Sequence, residues 1–232
     1  MKINLNNYKF IDLGCSKGGS LNFGSAIFKG KGLGVEMDPD KIKYLKKGKF
    51  NFINSNVLDL KNRVENKCDY ATAIDFFEHL KNKSEYIKIM DFMSNLINKY
   101  IFIMQPYFEN AKYLSDNELK YYWADWSGHP NLFKTSDFVD HFKSQNIYKN
   151  MVIGYRHGIK NLNDKVFVPL KTPRNSHEYD FNIHPQKKKF PNFIENNYKF
   201  YKQICVFYFI GEKYYDEIYD ISKKLEIEII NF

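Results

Sequence analysis

Apolar positions along the chain fall into two alternating patterns. Short runs rich in Ile, Val, Phe and Tyr stand at 8–13, 32–36, 51–54, 70–74, 100–104, 151–155 and 204–210, as buried strands require. Between them lie stretches whose apolar residues recur three and four positions apart, which predicts helices over 20–28, 39–47, 84–98, 135–145 and 214–225. Two of these helices have readable starts. Asp38 precedes Pro39, a capping acid before a first-turn proline. Thr135, Ser136 and Asp137 offer capping groups ahead of Phe138, Val139 and Phe142, which share one face. Alternation of this kind predicts an α/β fold around a mostly parallel sheet, in a single domain over 1–232.

Two segments break the rhythm. Residues 105–134 are aromatic and irregular; residues 156–199 are polar and carry Pro169, Pro173, Pro185 and Pro191. Long irregular insertions in a compact α/β domain are commonly functional covers, so both are expected on the substrate side. Composition narrows the partners. The formal net charge is +8, which favours anionic ligands in general. Yet the abundance of Lys, Asn, Ile, Phe and Tyr is what an AT-rich genome produces through its codons. The basic runs, 43–50 and 186–190, are short, so nucleic acid is unsupported as a partner. Three cysteines without a CxxC pair argue against a disulfide framework or a zinc ribbon and fit a reducing compartment. There is no leader-like start and no apolar run of membrane-spanning length, so a soluble, cytoplasmic protein without membrane attachment is expected.

The most informative stretch is FIDLGCSKGGSL, 10–21. Its GCSKG matches the GxSxG pattern of a nucleophile elbow. That elbow needs several strands upstream, and only one precedes Ser16. The dinucleotide pattern GxGxxG also fails, because Ser16 stands where a second glycine admits the pyrophosphate. A third reading fits. DLGCSKGG resembles motif I of the class I S-adenosylmethionine (SAM) methyltransferases, D/E-x-G-x-G-x-G, with Asp12, Gly14, Ser16 and Gly18 in its places and Ser16 as a departure. SAM carries an ammonium, a carboxylate and a sulfonium but no phosphate. The resemblance implies that Asp12 faces the cationic methionine portion and that the glycines let the cofactor lie close to the backbone.

Three further stretches follow in the family's order. GVEMDPDKI places Glu36 22 positions after Gly14, where an acid accepts from the ribose hydroxyls. FINSNVLDL resembles the third-strand motif, with Asn56 where the family often has an Asp beside the adenine amine. DYATAIDFFEHL resembles motif IV, with Asp75 at the end of the fourth strand. The resemblance therefore implies a SAM-dependent methyltransferase with a Rossmann-like, seven-stranded, mostly parallel sheet and helices on both faces. The cofactor SAM would be held by Asp12, Gly14, Cys15, Ser16, Gly18, Glu36, Met37, Asn56, Val57, Asp75 and Phe76.

Methyl transfer to a hydroxyl or ammonium needs a base near neutral pKa. His79, with Glu78 beside it, and His129 are the candidate catalytic residues; His157 shares the expected edge, and His141 reads as structural. Asp75, Glu78 and His79 recur at i, i+3, i+4 and with His129 make an O/O/N/N set suited to a divalent ion. A similar acid-xx-Glu-His run with a later His occurs in small-RNA 3′-end 2′-O-methyltransferases, and its acid-xx-Glu-His part in ubiquinone-pathway O-methyltransferases. EHL also occurs in many relatives without a metal, and none is assigned. With the chain starting at its first strand, the acceptor pocket is expected from 105–134 and 156–199, with Tyr107, Trp123 and Trp126 as walls and Arg156 and Lys160 for an anionic group. The expected acceptor is a polar small molecule, anionic or sugar-based: a sugar, nucleotide-sugar or phosphorylated metabolite. Oxygen is preferred over nitrogen. The rivals are a metal-dependent RNA 2′-O-methyltransferase and a non-catalytic SAM-fold binding module.

Overall fold

A computed structural model describes residues 2–195 and 197–230. Its main sheet has eight strands: β1 (Phe10–Leu13), β2 (Gly32–Glu36), β3 (Phe52–Asn54), β4 (Cys68–Ile74), β5 (Ile97–Pro106), β6 (Asn150–Ile159), β7 (Phe200–Phe209) and β8 (Ile227–Ile230). Their order is β8-β6-β7-β5-β4-β1-β2-β3. The five strands from β5 to β3 are mutually parallel, while β7 runs antiparallel to both β5 and β6, and β8 antiparallel to β6. Six strands thus share one direction. The seven expected strands are present, and β8 is an eighth.

Helices α1 (Gly19–Phe28), α2 (Pro39–Lys47) and α6 (Tyr215–Lys224) cover one face of the sheet; α3 (Lys83–Leu96) and α5 (Thr135–Ser144) cover the other, and a short α4 (Ala111–Asp116) lies in the first irregular segment. Asp38 caps α2 as its sequence suggests, its side chain accepting from the Asp40 amide at 2.9 Å. The first face packs an aromatic cluster: Phe28 stacks on Tyr70 with ring centroids 4.7 Å apart, and Phe102 meets Phe207 at 4.7 Å. On the second face Tyr86 sits among Phe77, Phe133 and Phe138.

The two irregular segments are stitched to each other. Leu119–Tyr121 pairs antiparallel with Phe167–Pro169. The Trp126 indole donates to the Ser176 carbonyl at 2.8 Å, and the Ser127 amide to Asn175 Oδ1 at 2.7 Å. Tyr107, Tyr121, Trp123 and Phe167 are buried members of the second core. These segments extend the hydrophobic core rather than hang over it.

Candidate active site

The carboxyl ends of β1, β2, β4 and β5 border a cavity of about 880 Å³. This lies within the range of about 300–1,000 Å³ that takes a drug-sized ligand, and on the edge where open parallel sheets bind ligands. Its floor is the turn after β1. Gly14 has φ +71°, and a Cβ there would lie 2.3 Å from the Phe76 ring. Gly18, with φ +97°, opens α1, and a Cβ there would strike the Phe50 ring at 2.5 Å. Only glycine satisfies both the left-handed backbone and the close ring. Ser16, the departure from the motif, adopts φ +50°, a region a short polar residue tolerates at a small cost.

Glu36 holds this turn in place. It is buried at the end of β2 and lines the cavity. Oε2 accepts from the Ser16 amide at 2.9 Å, and Oε1 from the Met37 and Asp38 amides at 2.8 Å each. A carboxylate offers roughly four lone-pair sites, so one on Oε2 is left for a ligand hydroxyl.

Asp12 does not reach the cavity. Ser20 donates to its Oδ2 at 2.5 Å and Thr72 to its Oδ1 at 2.6 Å, which ties β1 to α1 and β4 beneath the turn. Full burial pushes its carboxyl up to about 6; the two hydroxyl bonds pull against that shift. Cys15 is likewise buried below the turn, its thiol pushed far up by burial. Gly14, Ser16, Glu36, Met37, Asn56, Val57, Asp75 and Phe76 all line the cavity, whereas Asp12, Cys15 and Gly18 support it from behind. The Asn56 side chain caps the turn after β3, accepting from the Leu58 amide at 2.9 Å.

Asp75 follows β4 with φ +47°, and its amide donates to the Met104 carbonyl at 2.8 Å. It opens on the cavity, yet the protein packed around it raises its carboxyl to about 6 through lost solvation. A single turn of 3-10 helix, Phe77–His79, comes next. His79 lines the cavity, and its Nδ1 meets the Gly128 carbonyl at 2.7 Å. Glu78 is fully buried, and burial, then the charge of Asp75, push its carboxyl up to about 8. His129 Nδ1 meets the Trp123 carbonyl at 2.9 Å, and its ring lies 4.9 Å from that of His79. Burial lowers its pKa. Glu78 and His129 are therefore brought together with His79, but only His79 stands on the cavity wall. Asp75 lies outside that cluster.

Among the described residues, no cavity-lining side chain comes from 105–134 or 156–199, where the acceptor pocket was expected. The expected walls have other duties. Tyr107 donates to the Lys199 carbonyl at 3.1 Å, and the Trp123 indole to the Tyr107 carbonyl at 3.0 Å. Arg156 Nε donates to the Leu225 carbonyl at 2.7 Å. Lys160 and His157 are exposed and away from the cavity, and His141 lies on the buried face of α5. The wall includes residues the sequence did not single out, notably Lys17, Lys41, Lys81, Glu85, Ile89 and Met104. Met104 was open to discovery, since it closes the fifth expected strand on the ligand edge. The others carry no local signal.

This architecture is the fold of the SAM-dependent methyltransferases. One similar structure is a SAM-dependent methyltransferase from Archaeoglobus fulgidus, with a TM-score of 0.59 and 15% identity over 90% of this chain and 86% of that one. Another, from Thermotoga maritima, is a SAM-dependent methyltransferase described as a possible histamine N-methyltransferase, with a TM-score of 0.52 and 11% identity over 88% and 82% of the two chains. TehB from Haemophilus influenzae gives 0.53 and 13% over 89% of this chain and 59% of its own. No protein-family model and no curated protein matches the sequence. Among the described residues no helix is long and apolar enough to cross a membrane.

Proposed function

We propose that the chain is a SAM-dependent methyltransferase that methylates a hydroxyl of a polar small molecule, a sugar, nucleotide-sugar or phosphorylated metabolite. The observation that carries this reading is the cradle itself. The Gly14 turn, the spare lone pair of Glu36 and the left-handed Asp75 meet on one cavity. The wall sets Lys17, Lys41 and Lys81 against Glu36, Asp38, Asp75 and Glu85, mixed charge that suits a ligand with an ammonium and a carboxylate. When bound, SAM supplies an electrophilic methyl group on its sulfonium.

The chain's own residues then have separable tasks. Glu36 accepts from a ribose hydroxyl while fixing the turn. Val57, Leu58 and Ile89 offer apolar contact for a base. His79 takes the acceptor's proton. A carbonyl only accepts hydrogen bonds, so the Gly128 contact holds the proton of a neutral His79 on Nδ1 and leaves Nε2 as the base. A hydroxyl must shed its proton as the new bond forms, and His79 offers a base to receive it, which is the ground for preferring oxygen.

The test is a SAM titration of the purified chain, followed by transfer of labelled methyl to sugars, nucleotide-sugars, phosphorylated metabolites, amines and short RNAs. Saturable SAM binding and labelling of a hydroxyl compound, lost in His79→Ala, are expected. Absence of SAM binding would remove the enzyme reading. Binding without transfer to any class would favour a SAM-fold binding module, and labelling of RNA alone would replace the small-molecule acceptor.

A further inference from the structure

We infer that Glu78, His79 and His129 form a divalent transition-metal site beside the cavity. Three observations converge on it. Glu78 is fully buried, and among the described residues neither of its carboxylate oxygens has a hydrogen-bond partner. A buried carboxyl with no partner is costly, and native structures rarely leave one so unless something else satisfies it. One ligand atom from each of the three side chains lies within 4.8 Å of the others, and His79 Nε2 is 4.0 Å from Glu78 Oε1. That gap is too long for a hydrogen bond, so the two do not satisfy each other directly.

The third observation concerns the imidazoles. Each gives its Nδ1 to a backbone carbonyl, His79 to Gly128 at 2.7 Å and His129 to Trp123 at 2.9 Å. Both contacts require a proton on Nδ1, so in the neutral ring the lone pair sits on Nε2. A carbonyl on the far nitrogen is how proteins orient a ligating histidine and raise its basicity. Two imidazole nitrogens and one carboxylate suit Zn²⁺, Mn²⁺, Fe²⁺ or Co²⁺, whereas Mg²⁺ and Ca²⁺ favour all-oxygen shells. Metal–ligand distances near 2.0–2.2 Å place ligands roughly 3–3.5 Å apart, so the three groups must close by about 1 Å around an ion. Three protein ligands leave coordination positions open.

His79 joins this site to the cavity wall. An ion there would polarise the acceptor hydroxyl and make its proton easier to release to water; with the ion bound, His79 Nε2 is a ligand, so its role as base belongs to the metal-free chain. That role rests on the methyl-transfer reading; the site itself does not.

The experiment uses the full chain stripped with a chelator. It is titrated with Co²⁺, read by visible absorption, and with Mn²⁺, read by loss of the free-ion resonance, with Mg²⁺ alongside. One bound Co²⁺ or Mn²⁺ per chain is expected, with affinity reduced at least about tenfold in Glu78→Gln and in His129→Ala. His79→Ala, at a half-exposed position, repeats the test should the buried variants fail to fold. Absence of saturable binding of either ion, or binding undiminished in His79→Ala, would overturn the proposal. A SAM titration of each metal-free sample separates the two readings. Metal binding without SAM binding removes only the methyltransferase, and SAM binding without metal binding removes only this site.

Discussion

Glu36→Gln isolates one charge at a position where length and shape stay fixed. Glu36 Oε1 receives two amides and Oε2 receives one. A glutamine keeps a single carbonyl oxygen, and the other end becomes a donor. With the carbonyl on the Met37 and Asp38 side, two bonds survive and the amino group faces the Ser16 amide, donor against donor. The opposite orientation loses two bonds, so the first should prevail. One hydrogen bond to a charged acceptor is worth about 1.5–3 kcal/mol, the expected loss of stability. The melting temperature should fall by roughly 3–12 °C for a chain of this size. The spare lone pair also sat on Oε2, so a ribose hydroxyl loses its acceptor as well. A second loss of 1.5–3 kcal/mol corresponds to SAM binding weaker by roughly tenfold to 150-fold. Calorimetric titration with SAM and with its demethylated product reads this directly, and both ligands should weaken alike because they share the ribose. Affinity within about threefold of wild type, under ~0.7 kcal/mol, would refute the assignment of Glu36 as ribose acceptor.

Gly14→Ala, with φ +71° and a Cβ 2.3 Å from the Phe76 ring, should cost on the order of 1–3 kcal/mol in a denaturant melt and weaken SAM binding as Phe76 is displaced. Asp12 is fully buried with a carboxyl raised to about 6 from an ordinary 3.8. Its folded form binds the proton more tightly, so its stabilising effect is complete below pH 3.8 and is lost as pH rises through 6. The stability of Asp12→Asn relative to wild type should therefore rise across that window by up to about 3 kcal/mol and level off above it, as urea melts at stepped pH would show. Phe28→Ala, which removes the ring packed on Phe10, Tyr70, Tyr100 and Phe102, should destabilise by about 3–5 kcal/mol; since Phe28 does not line the cavity, SAM affinity of the folded fraction should be unchanged.

Much of the scaffold was legible because its signals are local. The strand Gly32–Glu36 and the helix Pro39–Lys47 lie where apolar runs and the Asp38–Pro39 start place them. Glu36 was readable through the resemblance of its segment, 34–42, to the stretch that follows motif I in the SAM-dependent methyltransferases, which implies an acid at the end of the second strand. Strand β8 was not, because the four residues Ile227–Ile230 follow a helix directly and are too short for alternation to be told from a helix end. Pairing of Leu119–Tyr121 with Phe167–Pro169 is a contact between three-residue strands far apart in sequence, which no local pattern encodes. That pairing is why the irregular segments join the core instead of walling the cavity. Motif I indicated Asp12 but not its side-chain partners, which depend on Ser20 from α1 and Thr72 from β4.

The edges of the main sheet bear on solution behaviour. An uncovered strand offers a row of free amides and carbonyls to any other chain, the usual opening for aggregation. Here β6, ten residues long, would present such a row, and β8 occupies it at Ile153–Arg156. The sheet then ends in β8 and β3, four and three residues long. Glu228 in the middle of β8 adds a carboxylate already engaged with Lys199 at 2.9 Å and Tyr201 at 2.7 Å. By covering the middle of β6 and placing a carboxylate at the edge, β8 gives the chain a partial guard against sheet-to-sheet polymerisation, and shortening it before Ile227 would take that guard away.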